Sequence, residues 1–428
     1  MQLYSTNNKE NIVDLKQAVL KSLASDKGLY MPTDIPKLDK VFISNLKDFS
    51  FQEIAFAVCA NLFKDTIPAN DLMGIINRSM TFAAPVVPIT NRISTLELFH
   101  GPSLAFKDFG ARFMAQLMSY FNRGNNDDLT ILVATSGDTG GAVAAGFYNT
   151  PGIKVIILYP SGKVSNIQEK QLTTLGKNIT ACEIDGNFDD CQKIVKTAFL
   201  DKELNESYNL SSANSINIAR LIPQSFYYFE AYKQKLSDKP LVFSIPSGNF
   251  GNLTAGLLAK LMGLPIEKFI AATNVNKVVP DYLNSGKFEP ILSKETIANA
   301  MDVGNPSNFT RMMELYPTLD SMKKDIVGYW FDDQTIKNNM KEVYKKYNYI
   351  LDPHGSIGYL ASEDYLKNND HEVIFLETAH PCKFLDDVEN AIETKIELPP
   401  SIKEILNKEN QSYSLDKSFA SFKTWMLS

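Results

Sequence analysis

The sequence predicts an α/β fold built on parallel, wound β-sheets. Short apolar runs alternate with segments of helical periodicity along most of the chain, and this alternation favours parallel strands joined by helices. The runs are apolar throughout instead of alternating with polar residues, which is typical of strands covered on both faces. The predicted strands are Ile131–Ala134, Val155–Tyr159, Ile179–Ile184, Leu241–Ile245, Phe269–Thr273 and Val373–Leu376.

Length and periodicity divide the chain into three predicted regions. At 428 residues it is too long for one ordinary hydrophobic core, so two or three domains are expected. Residues 1–90 predict a separate, mostly helical domain, residues 91–385 an α/β core with a smaller subdomain within roughly 112–235, and residues 386–428 a helical tail. The apolar residues at helical spacing in the first region are Ile12, Val13, Leu15, Val19 and Leu20, followed by Phe51, Ile54, Ala55 and Val58.

The composition narrows the possible partners and the compartment. A net charge of −6 argues against nucleic acid as the main partner, since binding its backbone needs a concentrated positive face. No apolar run approaches membrane-spanning length and no signal peptide is visible, so a cytoplasmic protein without membrane contact is expected. The cysteines and histidines show no metal-site spacing, which predicts no metal and free thiols in a reducing compartment. The cysteines are Cys59, Cys182, Cys191 and Cys382.

One lysine lies in a setting that suits covalent chemistry. In FHGPSLAFKDF, residues 99–109, Lys107 lies between Phe106 and Phe109 and follows a Gly-Pro turn. Aromatic burial disfavours the charged ammonium, so the amine is freer to attack a carbonyl, as a Schiff-base enzyme requires. A surface lysine whose stem lies along two aromatic rings is the alternative, and this segment alone favours it.

Two junctions of strand, glycine-rich turn and helix indicate anion binding. They are ATSGDTGG at residues 134–141 and PSGNFGN at residues 246–252. Glycines allow the backbone to turn tightly there, and the first amides of the helix, together with its dipole, attract an anion. Neither junction has the dinucleotide GxGxxG or the Walker GxxxxGK[ST] pattern. Close packing of strand on helix explains either junction equally well by itself, but two of them favour a phosphate or carboxylate ligand.

Three further segments place polar side chains at the ends of predicted strands. Lys163 lies in YPSGKVS, residues 159–165, where it could reach an anion at the carboxyl edge of a sheet. The segment SANSINIAR, residues 212–220, is rich in donors, and Arg220 offers the forked geometry that suits phosphate. Residues 377–381, ETAHP, follow the apolar run VIFL. Either of the first two segments, taken alone, would more often be a capped helix start.

The order of these motifs resembles that of the threonine synthase family. FKDFGARF, SGDTGG, SGNFGN, NSINIAR and ETAHPCKF are its characteristic segments here, and MDVGNPSNF at residues 301–309 adds support. The resemblance covers nearly the whole chain, and the chain is similar to the longer branch of that family and not to the short one. It implies pyridoxal-phosphate fold type II, with two wound α/β domains enclosing the active site and an additional N-terminal domain.

The resemblance also implies a cofactor and the residues that hold it. Pyridoxal phosphate would form a Schiff base with Lys107, and Thr378 would lie against the pyridine nitrogen as a neutral partner. The loop that would cradle the cofactor phosphate comprises Gly248, Asn249, Phe250, Gly251 and Asn252. Asp138 stands where many relatives have an asparagine beside the ring oxygen of the cofactor. A carboxylate there would repel that oxygen unless one proton is shared.

The implied substrate is O-phospho-L-homoserine, which water converts to L-threonine and phosphate by γ-elimination and β-addition. The residues implied to grip the substrate phosphate are Lys163, Asn214, Ser215 and Arg220, and those near its carboxylate or amino end are Thr135, Ser136 and Thr139. A monomer or a homodimer is expected.

Other functions compete with this interpretation. A serine or threonine dehydratase-like lyase of the same fold needs no second phosphate site, so the donors near Lys163 and Arg220 weigh against it. A non-catalytic ligand-binding protein on the same scaffold would not require Lys107. A nucleotide-binding protein is disfavoured by the missing fingerprint motifs.

Overall fold

The computed structural model describes residues 1–125 and 127–428, and its first 80 residues form helices around a small antiparallel sheet. Its elements are β1 (Gln2–Ser5), β2 (Asn8–Asp14), α1 (Leu15–Lys21), β3 (Tyr30–Pro32), α2 (Lys40–Ser44), α3 (Phe51–Phe63) and α4 (Ala69–Ser79). Ile12 and Val13, predicted at helical spacing, lie instead in β2, where they pair with β1. The helix begins only after Asp14, whose side chain accepts a hydrogen bond from the amide of Gln17 and caps α1.

The middle of the chain alternates strands and helices. Its elements are β4 (Val86–Pro88), β5 (Ile93–Glu97), α5 (Lys107–Asn122), β6 (Leu129–Ala134), α6 (Asp138–Phe147), β7 (Ile153–Pro160), α7 (Asn166–Thr173), β8 (Ile179–Asp185), α8 (Phe188–Ala198), α9 (Lys202–Ser207), β9 (Asn209–Ser212), α10 (Ile218–Leu221) and α11 (Phe226–Lys233). Strands β6 to β9 form a parallel sheet in the order β8-β7-β6-β9, which places β6 between β7 and β9.

The remaining elements supply four strands of a second, six-stranded sheet, together with its helices and the C-terminal segment. They are β10 (Leu241–Pro246), α12 (Gly251–Leu261), β11 (Ile266–Thr273), α13 (Val278–Ser285), α14 (Phe309–Leu315), α15 (Leu319–Asp325), β12 (Ile326–Trp330), α16 (Asp333–Tyr347), α17 (Pro353–Leu366), β13 (Glu372–Glu377), α18 (Leu385–Ile392), α19 (Pro400–Leu406), β14 (Ser412–Asp416) and α20 (Phe419–Leu427). The strand order is β12-β11-β10-β13-β5-β4, and only β4 is antiparallel to its neighbour. Each of the six predicted strands lies within an observed strand, which confirms the wound parallel architecture.

Both sheets change their winding direction next to a glycine-rich turn. In the smaller sheet, β7 and β9 flank β6, whose carboxyl end leads into residues 135–141. In the larger sheet, β11 and β13 flank β10, whose carboxyl end leads into residues 247–252. Open α/β sheets bind ligands at such switch points, because the loops there diverge and leave a crevice. The fold therefore places the two turns where ligands are bound.

The N-terminal unit shares its hydrophobic core with the rest of the chain. The ring of Phe51 packs edge-on against Phe109 with centroids 5.9 Å apart, and Phe63 lies 6.4 Å from Phe113. Both partners are buried residues of α5, the helix that begins at Lys107. Removing this unit would therefore expose the apolar face of α5 to water.

The C-terminal segment differs from the predicted helical tail. It contains a strand, β14, which adds to the edge of the smaller sheet in parallel with β8. Its alternating partly exposed residues gave no continuous apolar signal, and pairing with β8 stabilises it instead. Within the described part of the chain, every helix is too short or too polar to cross a membrane.

Candidate active site

Lys107 is the first residue of α5 and is largely buried. Its side chain is 17 % exposed, and Nζ lies 4.0 Å from Oδ2 of Asp138 and 5.9 Å from the ring centroid of Phe106. Burial lowers the pKa of Lys107 to about 8, and the positive charges of Lys383 and Arg220 act in the same direction, against the attraction of Asp138. The lowered pKa increases the uncharged, nucleophilic fraction of this amine near neutral pH relative to an exposed lysine.

Asp138 connects Lys107 to a second buried lysine. Its Oδ1 accepts hydrogen bonds from Nζ of Lys383 at 2.9 Å and from Nε2 of Gln168 at 3.0 Å, while Oδ2 faces Lys107. Burial alone would raise the pKa of Asp138, but the two lysines outweigh it and hold that pKa below its usual range. Asp138 is therefore a carboxylate anion between two amines. The sequence patterns did not single out Lys383, although it lies in the motif ETAHPCKF.

The SGNFGN turn forms a cradle of amides at the start of α12. Phe250 adopts a left-handed conformation, with φ of +59°, directly before the helix. Within the described chain, the backbone N–H groups of residues 248–252 make no hydrogen bond, so five donors are free for a ligand. A side chain at Gly248 would meet the carbonyl oxygen of Ala300 and Cα of Met301, both at 2.7 Å. The turn thus combines free donors with a helix dipole, as phosphate binding requires.

The SGDTGG turn is organised around Thr135. The buried Thr135 hydroxyl accepts hydrogen bonds from the amides of Gly137 at 2.9 Å and Gly140 at 2.8 Å. Gly137 has φ of +132° and packs against Gln168, so no other residue fits there. Ser136 is exposed and Thr139 half-buried, on either side of Asp138. Ser136 and Thr139 therefore keep their hydroxyls available, whereas Thr135 shapes the turn.

Asn214 and Ser215 lie next to the SGNFGN turn. The Ser215 hydroxyl accepts a hydrogen bond from the side-chain amide of Asn249 at 2.5 Å, which joins the two predicted binding segments. Oδ1 of Asn214 is buried and makes no hydrogen bond within the described chain. Asn217, the third polar residue here, bonds instead to Val19 and Ser22 of the N-terminal unit and is structural.

Arg220 is buried beside α5. Its Nη1 donates to the carbonyl of Ala213 at 2.7 Å, while Nε is buried without a hydrogen-bond partner among the described residues. Nε lies 2.9 Å from the place a Cβ at Gly110 would occupy, so this glycine allows the guanidinium to approach the helix of Lys107. Burial lowers the pKa of Arg220 to about 10, and Asp108 opposes that effect. An unpartnered buried cation donor is suited to an anionic ligand.

Lys163 and Thr378 occupy different parts of the site loops. Lys163 is exposed in the turn after β7, and within the described chain no ion pair ties it to the other predicted residues. Thr378 follows β13 and is buried, and its carbonyl accepts from the amide of Phe106 at 2.8 Å. This bond places Thr378 beside the segment that carries Lys107. Both residues remain predicted ligands, and the structure brings Thr378 closer to the reacting lysine's segment.

A buried acidic network supports the strand end that carries Thr378. Oε1 of Glu377 accepts from the amide of Asp352 at 2.7 Å, and Oδ2 of Asp352 accepts from the amide of Ala379 at 3.1 Å. Nδ1 of His354 lies 3.1 Å from Oδ1 of Asp352, and its Nε2 accepts from the amide of Ala300. Burial and the neighbouring Asp352 and Glu97 raise the pKa of Glu377 well above its usual range. The network links Thr378 to the loop that packs on Gly248.

Arg311 joins three parts of the site and gave no sequence signal. It is fully buried in α14 and donates to the carbonyls of Tyr30, Ser215 and Ile216 and to Oδ1 of Asn308. Asn308 in turn donates to the carbonyl of Asn249 at 3.1 Å. One side chain thereby ties the N-terminal unit to both predicted phosphate-binding segments.

The residues present fit pyridoxal phosphate. A nucleophilic amine on Lys107, the free amides after Gly248 and the hydroxyl of Thr378 match its aldehyde, phosphate and ring nitrogen in chemistry. A family model described as "Pyridoxal-phosphate dependent enzyme" matches residues 94–376, which include strands β6 to β12 of the two wound sheets. The fold and site thus define a pyridoxal-phosphate-dependent enzyme, and the predicted cofactor and fold type are confirmed.

The flanking segments narrow this class. Residues 2–80 match the model "Threonine synthase N terminus", and residues 355–426 match "Threonine synthase, C-terminal". The chain belongs to the threonine synthase family, as its motifs predicted.

Individual threonine synthases resemble this chain in sequence or in structure over its full length. The threonine synthase of Buchnera aphidicola is 44 % identical over 431 residues and covers 100 % of both chains. The crystal structure of threonine synthase from Escherichia coli has a TM-score of 0.93 at 43 % identity, covering 100 % of this chain and 99 % of that one. The threonine synthase of Brucella melitensis, whose structure contains bound pyridoxal phosphate, has a TM-score of 0.94 at 33 % identity, covering 99 % and 98 %.

Proposed function

We propose that this protein converts O-phospho-L-homoserine and water to L-threonine and phosphate, as a lyase acting on a carbon–oxygen bond to phosphate. One observation supports the proposal: the fold offers two separate groups of donors, the free amides of residues 248–252 and the unpartnered Nε of Arg220, which lies against the helix that Lys107 begins. One group would hold the cofactor phosphate and the other the substrate phosphate. A dehydratase acting on serine or threonine has no use for the second group.

The cofactor would be held by residues of the larger sheet and of α5. Lys107 would bind its aldehyde carbon, and the amides of Gly248 to Asn252 would hold its phosphate. Thr378 would contact the ring nitrogen, and Asp138 would lie near the ring oxygen. When bound, pyridoxal phosphate supplies an electron sink for the negative charge that develops at the α carbon of the substrate.

The substrate would be oriented by its two ends. The phosphate would accept hydrogen bonds from the Ser215 hydroxyl, whose oxygen is used by Asn249, and from the unpartnered Nε of Arg220. Asn214 would contribute its side-chain Nδ2, because its Oδ1 can only accept a hydrogen bond. Lys163, exposed at the rim, would add charge to the same group. Ser136 and Thr139 would contact the carboxylate or amino end of the substrate through their hydroxyls, and Thr135 would hold the turn that presents them.

Lys107 would transfer the protons of the reaction. As a free amine it removes the α proton and then moves a β proton, which allows phosphate to leave from the γ carbon. Water adds its hydroxyl at the β carbon, and the γ carbon gains the proton that makes it a methyl group. Substrate and water together contain every atom of threonine and phosphate. We place this reaction in the cytoplasm, which is supported by the four free buried thiols.

The test is to incubate the purified holoenzyme with O-phospho-L-homoserine and quantify phosphate and threonine together. Equal release of both supports the proposal. Phosphate accompanied by oxobutyrate would show elimination without water addition and would favour the dehydratase-like alternative. Absence of both products from a protein that carries its cofactor would refute the proposed substrate.

Replacement of Arg220 tests the phosphate group of the substrate separately. Arg220→Ala should raise KM for O-phospho-L-homoserine by about 10- to 100-fold, because a charge-assisted hydrogen bond contributes about 1.5–3 kcal/mol. Cofactor affinity should change far less, since Arg220 is not part of the Gly248 cradle. Arg112→Ala is the matched control, because this arginine of α5 donates to the carbonyls of Ser79 and Arg78 instead. Equal losses of cofactor and substrate affinity in Arg220→Ala would indicate a structural arginine.

A further inference from the structure

We propose that Lys383 is a positioning residue of this reaction, which neutralises Asp138 so that the buried pair faces Lys107 as one nearly neutral unit. The proposal rests on the proposed function only in assigning Lys107 as the reacting amine. Lys383 does not contact Lys107 directly, since its side chain bonds to Asp138, Ser103 and Gln171. Its effect on Lys107 is therefore exerted through Asp138 and through its charge. Three observations carry the proposal: the burial of Lys383, the different use of the two Asp138 oxygens, and the charges around Lys107.

Lys383 is buried and fully hydrogen-bonded. Its side chain has 0 % exposure, and Nζ donates to Oδ1 of Asp138 at 2.9 Å, to the carbonyl of Ser103 at 2.8 Å and to Oε1 of Gln171 at 3.0 Å. An ammonium group has three N–H donors, so every donor has one acceptor. Such geometry fixes the ammonium in place, and only one of its acceptors is an anion. A buried ammonium of this kind is stable only with that anion.

The Asp138 carboxylate uses its two oxygens differently. Oδ1 accepts from Lys383 and from Gln168, which leaves Oδ2 directed toward Lys107 at 4.0 Å. Asp138 is also the first residue of α6, where the helix dipole favours a negative charge. Lys383 and Gln168 therefore hold the carboxylate in one rotamer. The oxygen that remains is the one offered to the reacting groups.

The charge of Lys383 offsets the effect of Asp138 on Lys107. An isolated carboxylate at 4 Å would favour the ammonium form of Lys107 and would repel an anionic oxygen bound beside it. Lys383 and Arg220 act on Lys107 in the opposite direction to Asp138. Three other titratable groups are packed nearby. Asp108 of α5 accepts from the amide of Ser103 and interacts with both Lys383 and Arg112, His380 interacts with Lys383, and the buried thiol of Cys382 interacts with Lys383 and Asp138. Lys383 thus allows a carboxylate to orient the site without keeping Lys107 protonated.

The experiment measures the Lys107 amine in the protein freed of cofactor. An amine-selective reagent, trinitrobenzenesulfonate, is applied at low extent across pH 6 to 10, and labelling of the peptide containing Lys107 is quantified by mass spectrometry. Lys383→Met removes the charge at similar length and should move the labelling midpoint to higher pH by about 1–3 units. Asp138→Asn should move it to lower pH. The double variant should return close to the wild-type midpoint.

Two further variants separate this role from a merely structural one. Lys383→Gln keeps donors for Ser103 without the charge, so it should shift the midpoint in the same direction as Lys383→Met even if the methionine variant folds poorly. Lys260→Met is the matched control, since it breaks a partly buried pair with Asp325 at 2.7 Å on the far end of α12. This control should leave the Lys107 midpoint unchanged.

The cofactor-loaded protein gives an independent readout. In Lys383→Met and Lys383→Gln the pH dependence of the visible absorption band should shift relative to the wild type, and the double variant should restore it. Unshifted Lys107 labelling in folded Lys383→Gln, or a double variant that stays shifted with Lys383→Met, would refute the positioning role. Labelling requires neither cofactor nor substrate, so it remains decisive even if the protein forms no threonine from O-phospho-L-homoserine.

Discussion

Replacing Arg311 by methionine should loosen both predicted phosphate-binding segments at once. The methionine fills a similar length but provides no donor for the carbonyls of Tyr30, Ser215 and Ile216 or for Asn308. Two of the lost hydrogen bonds are short, at 2.7 Å to Ile216 and 2.8 Å to Asn308. Each short bond from a charged donor contributes about 1.5–3 kcal/mol, which gives about 3–6 kcal/mol for the two.

Part of this loss is returned, because methionine avoids the cost of burying a guanidinium group. We therefore expect local opening of the segment to become easier by about 2–5 kcal/mol. Since each 1.36 kcal/mol corresponds to a factor of ten, opening should become roughly 30- to 5,000-fold more frequent. The cofactor should also bind more weakly, because Asn308 would no longer be fixed against Asn249.

Native-state hydrogen exchange measures this opening directly. The amides of Asn217 and Arg220 are suitable reporters, because both donate to carbonyls within the turn that Arg311 holds. Arg112→Met is the matched control, since its bonds to Ser79 and Arg78 lie outside the site, and it should leave these reporters unchanged. Wild-type exchange of the reporters in a folded Arg311→Met protein would refute the estimate and assign the stability of the turn to its apolar contacts.

Replacements of Lys107 and Glu377 should change activity and stability, respectively. Lys107→Ala should abolish threonine formation, with a circular dichroism spectrum like the wild type, because a small side chain fits where the lysine lay; wild-type turnover would reject Lys107 as the reacting amine. Glu377→Gln should gain stability relative to the wild type as pH rises above about 4.5. The raised pKa of Glu377 means that folding favours the protonated acid, so between the unfolded and folded pKa values the wild type loses about 1.4 kcal/mol of stability for each increase of one in pH. The thermal unfolding midpoints of the wild type and of Glu377→Gln, measured at pH 5 and at pH 8, test this expectation. A difference between the two midpoints that is the same at both pH values would contradict it.

The strands that the sequence predicted are those whose signal is local. A continuous apolar run such as Leu241–Ile245 is sufficient to identify a strand covered on both faces, and the structure places it in the centre of the larger sheet. The strands that went unpredicted are short or polar. In β5, Ser94 and Thr95 are completely buried, and β14 is a polar edge strand. Their strand conformation depends on pairing with distant segments, which no local pattern reports.

The same distinction applies to the site. Glycine-rich turns could be recognised because a positive φ, as at Gly137, and free amides, as at Gly248, are requirements of a few consecutive residues. Lys383 and Arg311 could not, since their acceptors come from segments far apart in the chain, such as Ser103 and Tyr30. A lysine or arginine in a helix or turn is most often solvated. Only the tertiary structure shows that these two are buried and hydrogen-bonded.

The net charge of the chain and the charge around Lys107 have opposite signs. The chain carries a net charge of −6, yet the groups around Lys107 are the cations Lys383 and Arg220, with Asp138 as the anion in contact. Burial strengthens these local interactions, whereas water screens the surface charges that dominate the total. If one cation balances Asp138, Arg220 remains to favour a bound phosphate. If the proposed function holds, this acidic protein recognises two phosphate groups through a few buried donors, because local donors and not the overall charge decide such recognition.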